Sequence, residues 1–179
     1  MYVSADRLRK AMRVRITFSK RGWIIYSSHL DLMRTWERVF RRAGLPLAYS
    51  GGFNPRPKIQ LARALPLGHV GEKEILDAWF ETPVPLDDVV ENVNAVLTEG
   101  LDVAEIRRVD EKEPAMQTLV VGTVYRVAVA SQGPREEIEV RVQDVLGKDE
   151  LNHERRGKRY NLRQLIEGLR LLEVDPDGG

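Results

Sequence analysis

Residues 27–66 read SSHLDLMRTWERVFRRAGLPLAYSGGFNPRPKIQLARALP, and the fold turns on this stretch. Ser28 with Asp31 three residues later is a capping-box-like start, which places a helix N-terminus there. Leu32, Met33, Trp36, Val39, Phe40 and Ala43 recur at helical spacing and form one apolar stripe. Arg34, Arg38, Arg41 and Arg42 fall three or four residues apart on another face. Gly44 suits the left-handed position that ends a helix, and Pro46 keeps it from continuing. Leu47–Tyr49 then reads as extended, Ser50-Gly51-Gly52 as a turn and Asn54-Pro55-Arg56-Pro57 as a stiff bend. Lys58–Leu65 reads as a strand with Ile59 and Leu61 on one side.

Working outward, residues 1–11 lack a strand pattern and read as an extension. Met12, Val14, Ile16 and Phe18 alternate with Arg13, Arg15, Thr17 and Ser19, as in a half-buried strand. Lys20-Arg21-Gly22 makes a turn, and Trp23–Tyr26 leads into the helix. Downstream, Glu74–Glu81 is rich in Ile, Trp and Phe and predicts a strand that Pro83-Val84-Pro85 stops. Leu86, Val89, Val90, Val93, Val96 and Leu97 predict a helix to about Thr98, closed by Gly100, and Leu101–Val109 a further strand. Strand, helix, strand, strand, helix, strand is the split βαβ or ferredoxin-like order, an antiparallel sheet with both helices on one face. Asp110–Gln117 is charged, contains proline and predicts a linker.

Beyond it the pattern predicts a second unit. Leu119–Ala130 reads as a strand. Pro134 opens a helix with Glu136 and Glu137 in its first turn and a buried stripe of Ile138, Val142, Val145 and Leu146. Glu150–Tyr160 reads as a polar strand or hairpin arm carrying Arg155-Arg156-Gly157-Lys158-Arg159. Asn161 and Gln164 suit the cap of a short helix to Gly168, and Leu169–Val174 suits a strand. The expectation is an α+β protein of tandem ferredoxin-like (βαββαβ) units, residues 12–109 and 118–179, the second truncated at its last strand.

The 179 residues are 42% hydrophobic and 31% charged, the composition of a globular protein with a core. No apolar run is long enough to span a bilayer and no signal peptide is visible, so a cytoplasmic location is expected. The absence of cysteine excludes disulfides, thiolate metal sites and any iron–sulfur cluster ligated by this chain. A net charge of +1 hides a segregation. Residues 1–63 hold 14 of the 28 basic and 3 of the 27 acidic residues, a balance of +11 against −10 for the remainder. Such asymmetry points to a polyanionic partner on the basic side, the alternative being two halves that neutralise each other.

The three histidines, His29, His69 and His153, lack metal-ligand spacing, there is neither a Walker A loop nor a GxGxxG motif, and no metal site is expected. His29, in the first turn of the basic helix, could serve as a general base or bind phosphate, or simply pack near the cap. The arginine face is either a solvated surface or, with Arg56, Lys58, Arg63 and the interleaved Tyr49 and Phe53, a surface for single-stranded or looped RNA. Phosphates need cations, and unstacked bases need aromatic platforms. Tyr49 and Phe53 could equally be ordinary core, the reading that suits Trp36 and Trp79.

Ser28-His29-Leu30-Asp31-Leu32-Met33-Arg34, Arg41-Arg42-Ala43-Gly44-Leu45-Pro46, Tyr49-Ser50, Gly52-Phe53-Asn54-Pro55 and Pro66-Leu67-Gly68 form a distinctive set. Together they resemble the radical SAM-linked (radical SAM-associated) family of uncharacterised bacterial proteins over about residues 12–175. The chain departs from that family's usual pattern at Arg56, where histidine is common, and lacks the family's C-terminal strand. The resemblance implies partnership with a radical SAM enzyme, with the iron–sulfur cluster and S-adenosylmethionine on the partner and no cofactor here. Tandem ferredoxin-like units with a histidine near the first helix are also similar, in architecture alone, to CRISPR repeat-processing endoribonucleases.

The leading expectation is an RNA-binding accessory protein, not itself an enzyme, that presents a tRNA- or rRNA-like substrate to a radical SAM enzyme. Arg34, Arg38, Arg41, Arg42, Arg56, Lys58 and Arg63 would contact phosphates, and Tyr49 and Phe53 would stack on bases. The alternatives are a metal-independent endoribonuclease using His29, and a protein-binding adaptor without RNA affinity. No membrane partner is expected.

Overall fold

The structure, a computed structural model, describes residues 11–130 and 133–172. The chain divides into two compact units with the boundary between Thr123 and Val124.

The first unit runs β1 (Met12–Lys20), a 3-10 turn (Gly22–Tyr26), α1 (His29–Arg42), β2 (Ile59–Leu61), β3 (Gly71–Phe80), α2 (Leu86–Val96), β4 (Leu101–Val109) and a single helical turn, α3 (Met116–Leu119). Its four strands form one sheet in the order β2-β3-β1-β4, every neighbouring pair antiparallel. Met12, Val14, Ile16 and Phe18 of β1 join Leu32, Trp36, Val39 and Phe40 of α1 and Val89 and Val93 of α2 in one core. Phe18, Trp36, Phe40 and Phe80 pack in series, with successive ring centroids 5.0, 5.6 and 5.8 Å apart. Burying each large side chain contributes about 1.5–3 kcal/mol, so α1 is held chiefly by its stripe.

Three expectations change here. β1 is not half-buried: Arg13 and Arg15, on its other face, are buried too. Asp110–Gln117 is not a free linker. Its backbone accepts hydrogen bonds from Arg13, at Glu113 O and Pro114 O, Gln117 Nε2 donates to Leu61 O, and Met116 is buried. The second strand is short. Lys58 and Tyr49 instead belong to a two-armed loop closed by Lys58 N–H to Ala48 O and Ser50 N–H to Arg56 O, both 2.8 Å. The loop after Gly52 projects from its end.

In the second unit, α4 (Arg135–Gly147) is followed by the hairpin β5 (Asn152–Arg155) and β6 (Lys158–Asn161) and a 3-10 turn, Leu162–Leu165. Arg156 and Gly157, at φ 52° and 73°, form the tight turn that suits a two-residue hairpin and put the basic run at its tip. Asn161 caps the 3-10 turn by accepting from Arg163 N–H at 3.0 Å. The strand expected at Leu119–Ala130 does not form. Its first residue closes α3, and Val121, Val124, Val127 and Val129 are each exposed, because a strand-forming sequence becomes a strand only when another strand completes its hydrogen bonds. Ile138, Val142, Val145 and Leu146 reach only half-burial on α4. Residues 169–172 form no strand, and Glu173 and Val174 lie outside the described residues. A second ferredoxin-like unit over residues 118–179 is therefore not reproduced among the described residues. No helix among them is long and apolar enough to cross a membrane.

Candidate nucleic-acid interface

The basic face is carried by α1, and three devices fix where α1 starts. Ser28 Oγ accepts from Asp31 N–H at 3.2 Å and donates to the Asp31 carboxylate at 2.7 Å. That hydroxyl bond, with Arg34 at 3.5 Å and Arg38 beyond, holds the Asp31 carboxyl below its ordinary range. Lys20 ends the inward-facing row of β1. Its stem is buried in the core and its Nζ donates to Ile25 O at 3.3 Å and Ser27 O at 3.1 Å, just before the cap. Burial pushes the Lys20 ammonium down, offset in part by Glu74, whose own carboxyl burial pushes up. Finally, Arg21 N–H donates to Gly100 O at 2.8 Å. Gly100 has φ +89°, and a Cβ there would lie 2.6 Å from Arg21 O, so this close crossing requires glycine.

The 3-10 turn therefore stands beside α1 and displays Trp23. Trp23 (60% exposed) and Thr98 line a cleft of about 270 Å³ together with Arg38, Arg41 and Arg42 and the buried Thr35 and Val39. Arg38 donates to Thr35 Oγ1 at 3.3 Å, while Arg41 and Arg42 make no ion pair among the described residues. Three guanidiniums that make no direct ion pair among the described residues, with only Arg38 feeling the more distant Asp31, repel one another and favour an incoming anion. Of the residues expected at an RNA surface, the structure thus brings together Arg38, Arg41 and Arg42. Arg34 turns to Asp31.

Tyr49 stands at a different edge of the arginine face. Its hydroxyl donates to Glu37 Oε1 at 3.2 Å, and burial with that carboxylate pushes the phenol up. Phe53 is fully exposed in the loop, with Arg56 nearby, so neither aromatic is core. Lys58 is half-buried and Arg63 exposed beyond β2. Sequence reasoning passed over Trp23 and Thr98. The only cue was a tryptophan directly after a turn glycine, outside any apolar periodicity.

The histidines are apart. His29 is exposed at the first residue of α1, His69 Nδ1 lies 3.2 Å from Leu67 O, and His153 packs edge-on against Tyr160 at 5.3 Å. Among the described residues no three His, Asp or Glu side chains gather to hold a metal ion.

A separate charged cluster lies on the outer face of the sheet. Asp77, fully buried, accepts from Arg13 Nε at 3.0 Å, from Arg13 Nη2, and from Arg15 Nε at 2.8 Å and Nη2 at 2.9 Å. Arg15 Nη1 also reaches Glu113 Oε1 at 2.6 Å, and Arg13 stacks 5.1 Å over Trp79, which is half-buried rather than core. These two arginines are fully engaged and hold residues 113–114 against the sheet. Burial, the largest influence, pushes the Asp77 carboxyl up, but the hydrogen bonds and charges of Arg15 and Arg13 outweigh it and hold it below the usual range. A depressed carboxyl stabilises the fold above its unfolded value of about 4 and loses that contribution as pH falls through the folded value. Glu74 acts in the opposite sense. Stability measured by urea melts is therefore expected to fall steeply below about pH 4, and an Asp77→Asn variant to show a shallower slope there. Equal slopes in the two proteins would exclude this account.

Residues 13–176 match a family described as an uncharacterised protein conserved in bacteria (DUF2344). No curated protein matches the chain.

Proposed function

The chain belongs to that bacterial family, and on this premise we propose that it is a non-catalytic RNA-binding accessory protein. It presents a tRNA- or rRNA-like substrate to a radical SAM enzyme, and its first unit is ferredoxin-like. The observation that carries the reading is the set of unpaired arginines on α1, Arg38, Arg41 and Arg42, bordered by exposed aromatic side chains. Cations on a rigid helix neutralise phosphates, while nearby rings stack on unpaired bases. Arg34, Arg56, Lys58 and Arg63 extend the cationic surface, and Tyr49 and Phe53 add stacking platforms. The iron–sulfur cluster and S-adenosylmethionine belong to the partner, since this chain has no cysteine to ligate a cluster. An endoribonuclease using His29 lacks support, because among the described residues no carboxylate or second imidazole is bonded to that exposed ring.

A protein-binding role has its own observation. Tyr26, Leu30, Leu67 and Val70 are exposed apolar residues, and the turn bearing Leu67 is tied to the 3-10 turn by Gly68 N–H to Ile25 O at 2.9 Å. Such residues suit docking onto the partner enzyme. The test is binding of fluorescent single-stranded, hairpin and transfer RNAs across a salt series. With about four phosphates neutralised, affinity should fall roughly 50-fold between 50 and 200 mM salt. No RNA binding at low salt would leave only the adaptor role.

A further inference from the structure

We propose that the cleft between Trp23 and the arginines of α1 takes one unpaired nucleotide of the bound RNA. Its base stacks on the Trp23 indole and its phosphate sits on Arg38 and Arg42. The inference rests on the RNA-binding reading and specifies the form of RNA recognised. Four observations converge. Trp23 is 60% exposed, although tryptophan is the residue that gains most from burial, and among the described residues it has no aromatic or cationic ring contact. The other two tryptophans are occupied, Trp36 within the Phe18–Phe40 aromatic series and Trp79 under Arg13. The cleft, at about 270 Å³, is near the lower bound of small-ligand sites, about 300 Å³, which suits one nucleotide rather than an extended ligand. Its arginines make no direct ion pair among the described residues, and Thr98 on the cleft wall carries a hydroxyl without a hydrogen-bond partner among them, free to meet a ribose or base edge.

The stacking platform is also held rigidly. Trp23 sits on a turn anchored by Lys20 Nζ to Ile25 O and Ser27 O and by the Arg21–Gly100 crossing. A ring fixed in advance stacks without ordering a loop first. A base can reach it only when splayed out of a helix, since the face of a paired base is covered by its neighbours. The cleft therefore selects single strands, loops and bulges over duplex.

The experiment compares the full chain with Trp23→Ala and Trp23→Phe, using fluorescence anisotropy with a single-stranded 12-mer RNA and the duplex of the same sequence. Wild type should bind the single strand about tenfold more tightly than the duplex and quench its tryptophan emission. Trp23→Ala should lose about tenfold on the single strand, with little change on the duplex, and should lose the quenching. Trp23→Phe, which keeps a ring, should recover part of the single-strand affinity. Because Trp23 lies outside the core, near-UV circular dichroism should show both variants folded. Unchanged single-strand affinity in Trp23→Ala would overturn the nucleotide site while leaving RNA binding by the basic face intact. Failure of the wild type to bind any RNA would instead remove the reading beneath it.

Discussion

Replacing Asp77 by alanine is expected to destabilise the first unit by about 3–5 kcal/mol, the usual loss when one partner of a buried ion pair is removed. The carboxylate is fully buried and accepts from both Arg13 and Arg15, so its removal leaves two buried guanidiniums with only Glu113 between them. Arg13 cannot swing into water, because it lies against Trp79 and donates to the backbone of residues 113–114, and Arg15 keeps only its bond to Glu113. The first consequence should be local. Residues 113–114 are held to the sheet through Arg13 and Arg15, which lose the carboxylate that orients them, so amide exchange there should accelerate before the rest of the unit opens. Asp77→Asn, which keeps the shape and part of the hydrogen bonding, should fall between wild type and alanine. Replacing Arg13, Arg15 and Asp77 together by apolar residues of similar volume should cost far less than the single alanine. A loss of under 1 kcal/mol for Asp77→Ala in chemical denaturation would show that the cluster is better hydrated than its burial implies.

The second large effect is on binding. Arg38→Glu with Arg42→Glu should lower RNA affinity roughly a thousand-fold at 100 mM salt, since each charge-assisted bond from guanidinium to phosphate contributes about 2 kcal/mol. The stability cost should be near 1 kcal/mol. Both side chains are exposed, Arg38 makes one long bond to Thr35, and the remaining penalty is negative charge in the last turn of the helix. Replacing the same residues by glutamine separates the missing attraction from the added repulsion and should give a smaller drop with a reduced salt slope. RNA affinity that survives reversal of both charges would move the interface away from α1. The basic tip of the β5–β6 hairpin, Arg155 to Arg159, would then be the next surface to examine.

Helix α1 was readable from sequence almost to the residue, because its cap, stripe and exit are all local: Ser28, the Leu32–Phe40 spacing and Gly44. The four-stranded antiparallel sheet was readable too, since strict alternation in β1 and the proline stops around β3 constrain their neighbours. What escaped depends on distant residues. Arg13 and Arg15 looked like a solvent-facing row because Asp77, 64 and 62 residues away, has no local mark as their counterion. Asp110–Gln117 has the composition of a linker, yet Arg13 uses its carbonyls as acceptors. Trp23 gained meaning only when the Gly100 crossing set its turn beside α1. The segment after Leu119 shows the converse. It is as rich in β-branched residues as any strand of the sheet, but composition alone does not supply the neighbouring strand.

The charged cluster also restricts how β1 can align with its neighbours. In a sheet with one buried face, moving a strand by one residue exchanges inside for outside and is forbidden, whereas moving it by two preserves the pattern. Here a one-residue slip would drive Arg13 and Arg15 among Phe40 and Phe80. A two-residue slip would keep every apolar side chain inward but carry Arg15 off Asp77, leaving Thr17 or a single arginine, Arg13, opposite it and breaking up the two-arginine cluster. The first error is rejected by the oily side of the strand and the second by the ionic side. Between them they favour the alignment of β1 that places both arginines on Asp77.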